Sequence, residues 1–351
     1  MIVLKRKQIL IGLIGLCLVL ILGLTFANRG ASANQLYAIN VGSSIGKKVD
    51  AIPPTNILTG LPLDSRESVG LRPVSVMVSN VPQSMPQWGI GSADVVFEVP
   101  VEGGMTRLMV VFGNMNEIPN VAPVRSARPF IPRLARALDS FYLHWGGASS
   151  IMGEVRNIMG NSRIDVNNST LFRHDPSRMS AGFAQEHASV LDGARFKAEM
   201  QGQGNRIFLN DDFSGEVFNF KNYDESLPMG NVARSISVNF GGTRAGLTFD
   251  TESKLYSKTF NGQPHIDGLT NSPLVFTNVI VLETPVGISG TGHATFNTSG
   301  NGTYFSNGNS QAITWILNDR LELFDGDGNP LAMNRGKSYI AITHVGGVSF
   351  N

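Results

Sequence analysis

The chain contains a single cysteine, Cys17. Beyond that position no intrachain disulfide can form, so the fold must rest on its core, and a thiol enzyme is excluded. Charge is sparse and balanced: charged residues make up 16% of the chain, and 28 Lys and Arg stand against 27 Asp and Glu for a net charge of +1. That balance excludes a global pull toward nucleic acid, and none is expected as a partner. No H-E-x-x-H occurs, and His174-Asp175, Glu186-His187 and His265-Ile266-Asp267 stand apart in the sequence. No metal site and no cofactor are therefore expected. What is abundant is apolar, at 42% of 351 residues, enough for one large or two ordinary folded domains.

The longest uncharged apolar stretch runs from Ile9 to Ala27. At ~1.5 Å per residue it spans ~28 Å as a helix, close to the hydrocarbon core of a bilayer. Lys5, Arg6 and Lys7 precede it within the stub 1–8 and should hold that end in the cytoplasm. We read residues 9–27 as a transmembrane signal anchor, with the bulk of the chain extracytoplasmic at the cell membrane. Two alternatives stay open: cleavage after Ala31-Ser32-Ala33, or acylation at Cys17, although Leu16 replaces the small residue such a signal requires.

Residues 28–56, rich in Gly, Ser, Ala and Asn and carrying Pro53-Pro54, read as a flexible tether. From 57 to 228 the patterning predicts an α+β domain. Strands are expected at Val74–Val78, Asp94–Val99, Arg107–Phe112 and Tyr142–Trp145, and helices at Phe130–Phe141 and from Ser149 or Ser150 onward. From 229 to 346 short β-type runs separated by turn clusters predict a mostly β domain. Asp325-Gly326-Asp327-Gly328-Asn329 opens like a calcium loop, but Pro330 and Gly336 occupy positions needing Gly and Glu, so a plain turn is expected.

Several ordered motifs carry a resemblance. Arg72-Pro73 leads a strand ending at Asn80; Pro86-Gln87, Gly89, Ala93-Asp94 and Glu98 follow, then Glu102-Gly103-Gly104-Met105-Thr106-Arg107 and Pro123-Val124-Arg125-Ser126-Ala127-Arg128-Pro129. In the second half come Gly262-Gln263-Pro264-His265-Ile266-Asp267, Asn278-Val279-Ile280-Val281, Thr314-Trp315, Phe324-Asp325 and Asn334-Arg335-Gly336-Lys337. This order resembles the YerB-like lipoproteins, a bacterial family of unknown function, from about residue 58 to 343. The resemblance implies an α+β N-terminal domain, a β-rich C-terminal domain and an envelope location, and it implies no activity. The chain departs from the family in lacking a lipobox. It also carries Glu186-His187-Ala188, slightly displaced, where the family shows a Pro-His-Asn segment.

The candidate ligand-binding residues are Glu98, Glu102, Arg107, Arg125, Arg128 and His144; no catalytic residue can be named. In one extended strand Glu98 and Glu102 would share a face, roughly 13 Å apart at ~3.3 Å per residue; ion pairs with Arg107 and Arg125 are the structural alternative. Gly103-Gly104 reads as a hairpin turn or as a backbone nest that holds an anion with Arg107. Arg125 and Arg128, stiffened between two prolines, suit carboxylate or phosphate, or else structural salt bridges. His144 precedes Gly146-Gly147 and a helix start, a pattern able to bind an anion. These features point to a membrane-tethered binding or interaction protein with an anionic or cell-wall ligand. The alternatives are an envelope-polymer hydrolase using Glu98 or Glu102 with His144, and a scaffold binding protein through a sheet edge.

Overall fold

The computed structural model describes residues 54–166, 170–213, 217–222 and 230–351. The expected anchor at 9–27, the tether up to residue 53 and the expected boundary at 228/229 lie outside these residues. Among the described residues no helix is long and apolar enough to cross a membrane.

The first half contributes Val74–Asn80 (β1), Val95–Pro100 (β2), Thr106–Phe112 (β3), Phe141–His144 (β4), Arg163–Asp165 (β5), Phe172–His174 (β6) and Ser189–Leu191 (β7). The second contributes Ser235–Asn239 (β8), Arg244–Phe249 (β9), Tyr256–Phe260 (β10), Asn278–Glu283 (β11), Ser299–Ser306 (β12), Asn309–Leu317 (β13), Leu321–Phe324 (β14), Ser338–Thr343 (β15) and Val348–Phe350 (β16). The helices are Ile131–Ala137 (α1), Ser149–Met159 (α2), Pro176–Ser180 (α3) and Phe196–Gly202 (α4). Mixed α/β structure in the first half and strands in the second agree with the sequence reading.

The two halves share one sheet. Its strand order is β14-β13-β12-β11-β15-β2-β3-β1-β4-β5, with Asn231–Val232 added beside β13. β15 is the joint: it runs parallel to β11 on one side and parallel to β2 on the other, with Val95 opposite Ser338 and Glu98 opposite Ala341. β1, β2, β4, β5, β11 and β15 all point the same way, so their carboxyl ends line one edge of the sheet.

Both faces of this sheet are covered. A second sheet, containing β10-β9-β8-β16, packs Ile236, Val238, Leu247 and Tyr256 against Val76, Val78, Val96 and Leu108. On the other face α1 and α2 pack Leu134, Leu138, Ile151 and Val155 against Met77, Phe97, Met109 and Tyr142. Burial on two faces explains why every residue of β1 and β3 is buried and why β3 reads from Leu108 to Phe112 as an unbroken apolar run instead of an alternating one.

Two local expectations change. The helix expected over Phe130–Phe141 stops at Ala137, where Asp139 turns into the left-handed region at φ 49°. Phe141 opens β4 and packs on Phe196 of α4, in the core on the opposite face of the sheet from Leu134 and Leu138; their helical spacing with Phe141 is coincidental. In α2 the N-cap is Ala148 and neither serine caps, so no side chain closes its first turn. Residues 325–329 form a turn in which Asp325 Oδ1 accepts the N–H groups of Asp327 and Asn329, at 3.0 and 2.9 Å.

Candidate functional site

Strand alternation decides where the six candidate residues go. Arg107 lies opposite Ser79 on β1 and Val99 on β2, and Val99 belongs to the helix-side core, so Arg107 points toward the helices. Glu98, one residue earlier than Val99, therefore points to the opposite face, under the second sheet. β2 ends at Pro100, and Glu102 sits in the turn Glu102–Gly104 instead of extending the strand. Gly103 and Gly104 at φ 73° and 70° close that turn, a conformation glycine adopts without Cβ strain. The single-strand geometry expected for the two carboxylates does not occur, and Glu98 does not join the group.

Glu98 is fully buried and saturated. Its Oε1 accepts from Asn80 Nδ2 at 2.9 Å and Thr106 Oγ1 at 2.8 Å; its Oε2 accepts from Tyr339 Oη at 2.8 Å and pairs with Lys258 Nζ at 3.0 Å. Lys258 Nζ also donates to His265 Nδ1 at 3.1 Å, His265 Nε2 donates to Gln87 Oε1 at 3.1 Å, and Gln87 Nε2 donates to Asn80 Oδ1 at 3.2 Å. The five side chains close a ring that fastens β10 to β1 and β2. Burial and Lys258 push the His265 pKa well below its usual value, consistent with a neutral ring that accepts on one nitrogen and donates on the other. Such a complete interior network is a structural device: every lone pair it removes from water is repaid inside the protein.

The other candidates gather at the carboxyl edge of the sheet. Arg128 clamps Glu102 with two hydrogen bonds, Nε to Oε2 at 2.8 Å and Nη2 to Oε1. Burial opposes the Glu102 charge, but these bonds outweigh it and hold the carboxyl below its ordinary pKa. Arg125, in the segment that lies beside the second half of β1, with Val124 opposite Val78, just beyond the end of β4, donates Nη1 to the Glu186 carbonyl at 3.0 Å. Its backbone ties that segment down, with N–H to Met77 O at 2.8 Å and C=O accepting from Trp145 N at 3.0 Å. Arg125 and Ser126 form part of the wall of a cleft of about 220 Å³ together with Trp145, His174 and Glu186.

Arg107 is a buried charged side chain left without a bonded partner. It is 6% exposed, yet it forms no hydrogen bond and no close ion pair among the described residues, and its Nε is wholly enclosed. Burial, then the charges of Arg128 and Arg125, lower its pKa to about 9, so it remains protonated at neutral pH. Leaving a buried donor without an acceptor costs about 1–3 kcal/mol, more for a charged one. Other unpartnered atoms lie close by in the fold: Ser79 Oγ, Arg125 Nε, His144 Nε2 and Thr284 Oγ1 all belong to residues at this edge. Tyr142 Oη faces the Arg128 backbone N–H too loosely for a hydrogen bond.

His144 lies beneath the edge, fully buried, with Nδ1 donating to Gly146 O at 2.8 Å. Burial lowers its pKa in spite of Asp165, and the ring is neutral. No shared point unites it with Glu98, which faces the other layer, and Glu102 is committed to Arg128. Sequence reasoning missed Ser79 and passed over His187, which burial and Arg125 keep neutral and whose Nδ1 is also unpartnered. The displaced Glu186-His187-Ala188 segment was the available signal, since Glu186 supplies the carbonyl that holds Arg125. A larger cleft of about 340 Å³, bordered by Phe218, Leu321 and Leu331, contains none of these unpartnered atoms.

Comparison with known proteins agrees with this architecture. Residues 58–206 match the family described as "Protein of unknown function (DUF3048) N-terminal domain", and residues 236–340 match its C-terminal domain. The chain is 26% identical over 307 residues to "Putative lipoprotein YerB" of Bacillus subtilis (strain 168), a match covering 84% of this chain and 88% of that protein. The crystal structure of the YerB protein from Bacillus subtilis has the same fold, with a TM-score of 0.73 at 24% identity over 85% of this chain and 99% of that one. The two matched stretches take in more than half of the sequence, and the chain belongs to the DUF3048 family of YerB-like proteins, whose function is unknown.

Proposed function

We propose that this protein is a membrane-tethered binding protein of the bacterial envelope, and that its extracytoplasmic part captures an anionic ligand at the carboxyl edge of the large sheet. The anchor in this reading is the apolar segment 9–27 with its leading basic cluster, and the lipoprotein name of the Bacillus subtilis relative supports an envelope setting. One observation carries the ligand reading: Arg107, a buried guanidinium without an acceptor, beside Arg125, whose Nε is equally unpartnered. A protein tolerates a desolvated, unpaired cation where a ligand supplies the missing charge, because pairing it on binding recovers free energy that folding left unused. Open parallel sheets place ligands at the carboxyl ends of their strands for the same reason: backbone and side-chain donors converge there.

The hydrolase reading finds no support in this geometry, because neither carboxylate is free to serve as an acid or base next to His144. The test is anion binding by the full-length protein in detergent, followed by calorimetry with inorganic phosphate and with citrate. Arg107→Met should weaken binding about tenfold or more while leaving the melting temperature unchanged or higher. Binding of both anions that is indifferent to Arg107→Met would refute the site.

A further inference from the structure

We infer that the group held at this edge is a phosphate, as a free ion, a monoester or a diester, seated between Arg107, Arg125 and the amino terminus of α2. The inference rests on the anion reading above and adds the ligand's chemical class. Three observations lead to it.

The first is charge. Arg128 is neutralised by Glu102, and Arg163 by Asp165 at 3.1 Å. Arg107 and Arg125 form no side-chain ion pair among the described residues: Glu102, clamped by Arg128, acts on Arg107 only at a distance, and the exposed Glu186 offers Arg125 a backbone carbonyl and no side-chain bond. Two guanidinium groups without a bonded carboxylate present more N–H donors than one carboxylate accepts, and suit the several oxygens of a phosphate.

The second is the helix. α2 has 11 residues, its N-cap is Ala148, and no side chain satisfies its first-turn N–H groups. The turn before it, Gly147 to Ser150, is exposed. Ala127 N donates to Gly146 O at 3.0 Å, which fastens the Arg125–Arg128 segment directly to this turn. Gly146 N–H is taken by Asp165 Oδ1 at 2.9 Å, so the open donors are those of the first turn of α2, and an open helix terminus suits the oxygens of a tetrahedral anion.

The third is independent of the helix: Arg107 is more than nine-tenths buried, carries no acceptor, and stands within electrostatic reach of both Arg125 and Arg128. The neighbouring His187 is neutral, so it adds no competing charge and can exchange a hydrogen bond with a ligand oxygen.

The experiment compares inorganic phosphate, glycerol 3-phosphate, glycerophosphocholine, phosphatidylglycerol vesicles, citrate and acetate on the full-length protein, by calorimetry and by thermal shift. At least one phosphate compound should bind, and the tightest identifies the source among ion, monoester, diester and lipid headgroup. Arg107→Met and Arg125→Met should each weaken it about tenfold or more. Ala148→Asp places a carboxylate at the N-cap of α2; it should raise the melting temperature by closing the first turn while weakening phosphate binding. Capture of citrate, sensitive to Arg107→Met, with no phosphate bound would overturn the phosphate inference and leave the anion site standing. Phosphate binding untouched by Ala148→Asp would overturn the seat at α2. Failure of every probe to bind would overturn the anion reading itself.

Discussion

Replacing Glu98 with Gln should damage this protein more than almost any other conservative change. Glu98 and Lys258 are each about 1% exposed or less, 3.0 Å apart, and between them contact Asn80, Thr106, Tyr339 and His265. Glutamine keeps the shape but removes the charge, leaving Lys258 buried with a neutral neighbour and setting an amide donor against the Lys258 or Tyr339 donors. Removing one partner of a buried pair costs about 3–5 kcal/mol. At about 2–4 °C per kcal/mol in a body of this size, the melting temperature should fall on the order of 10 °C. Removing both charges in Glu98→Gln with Lys258→Met should recover a large part of the loss, since an apolar replacement of a buried pair is often neutral. Circular dichroism melts of wild type, the two single variants and the double variant measure the coupling. Because the ring links β1 and β2 to β10, both halves should melt in one transition. A drop under about 1 °C for Glu98→Gln, against this expectation, or a double variant as unstable as the sum of the singles, would refute the reasoning.

Two further outcomes follow from the same geometry. Arg178 is as buried as Arg107 but saturated, with Nε on His187 O at 2.9 Å, Nη1 on Pro86 O at 3.1 Å and Nη2 on Ser84 O at 3.0 Å; Arg178→Met should therefore lower the melting temperature by several degrees, about 2–4 °C per kcal/mol lost, while Arg107→Met should not lower it. His265, His144 and His187 all have folded pKa values below the usual histidine value, so the unfolded chain takes up protons first as the pH falls. Stability should be level above about pH 6.5 and decline below it, by up to about 1.4 kcal/mol per pH unit for each histidine, and His265→Gln should flatten part of that decline in denaturant titrations between pH 7.5 and 5.

Much of the local structure was readable in the chain. β-branched runs at Val74–Val78 and Ser338–Thr343 announced strands, Gly103-Gly104 announced the hairpin, and Ile151, Val155 and Met159 announced α2, because each signal depends on neighbours a few residues away. Arg107, Arg125 and Arg128 were identifiable as residue types that suit an anion. Phe141 misled because helical spacing with Leu134 and Leu138 is satisfied equally well by a residue that leaves the helix and enters a strand.

By itself, then, the sequence determined the elements, the glycine turns, the absence of disulfides and the set of charged side chains available for a site. Only the tertiary structure decided which of those charges are paired. β15 inserts between β11 and β2, the second sheet covers one face, and that cover turns Glu98 into an interior partner of Lys258, 160 positions away in the chain, while Arg107, on the other face, is left without one among the described residues. The physical reason is that burial and pairing are set by contacts between segments far apart in sequence, and strand alternation gives only the choice of two faces, never what comes to lie upon them.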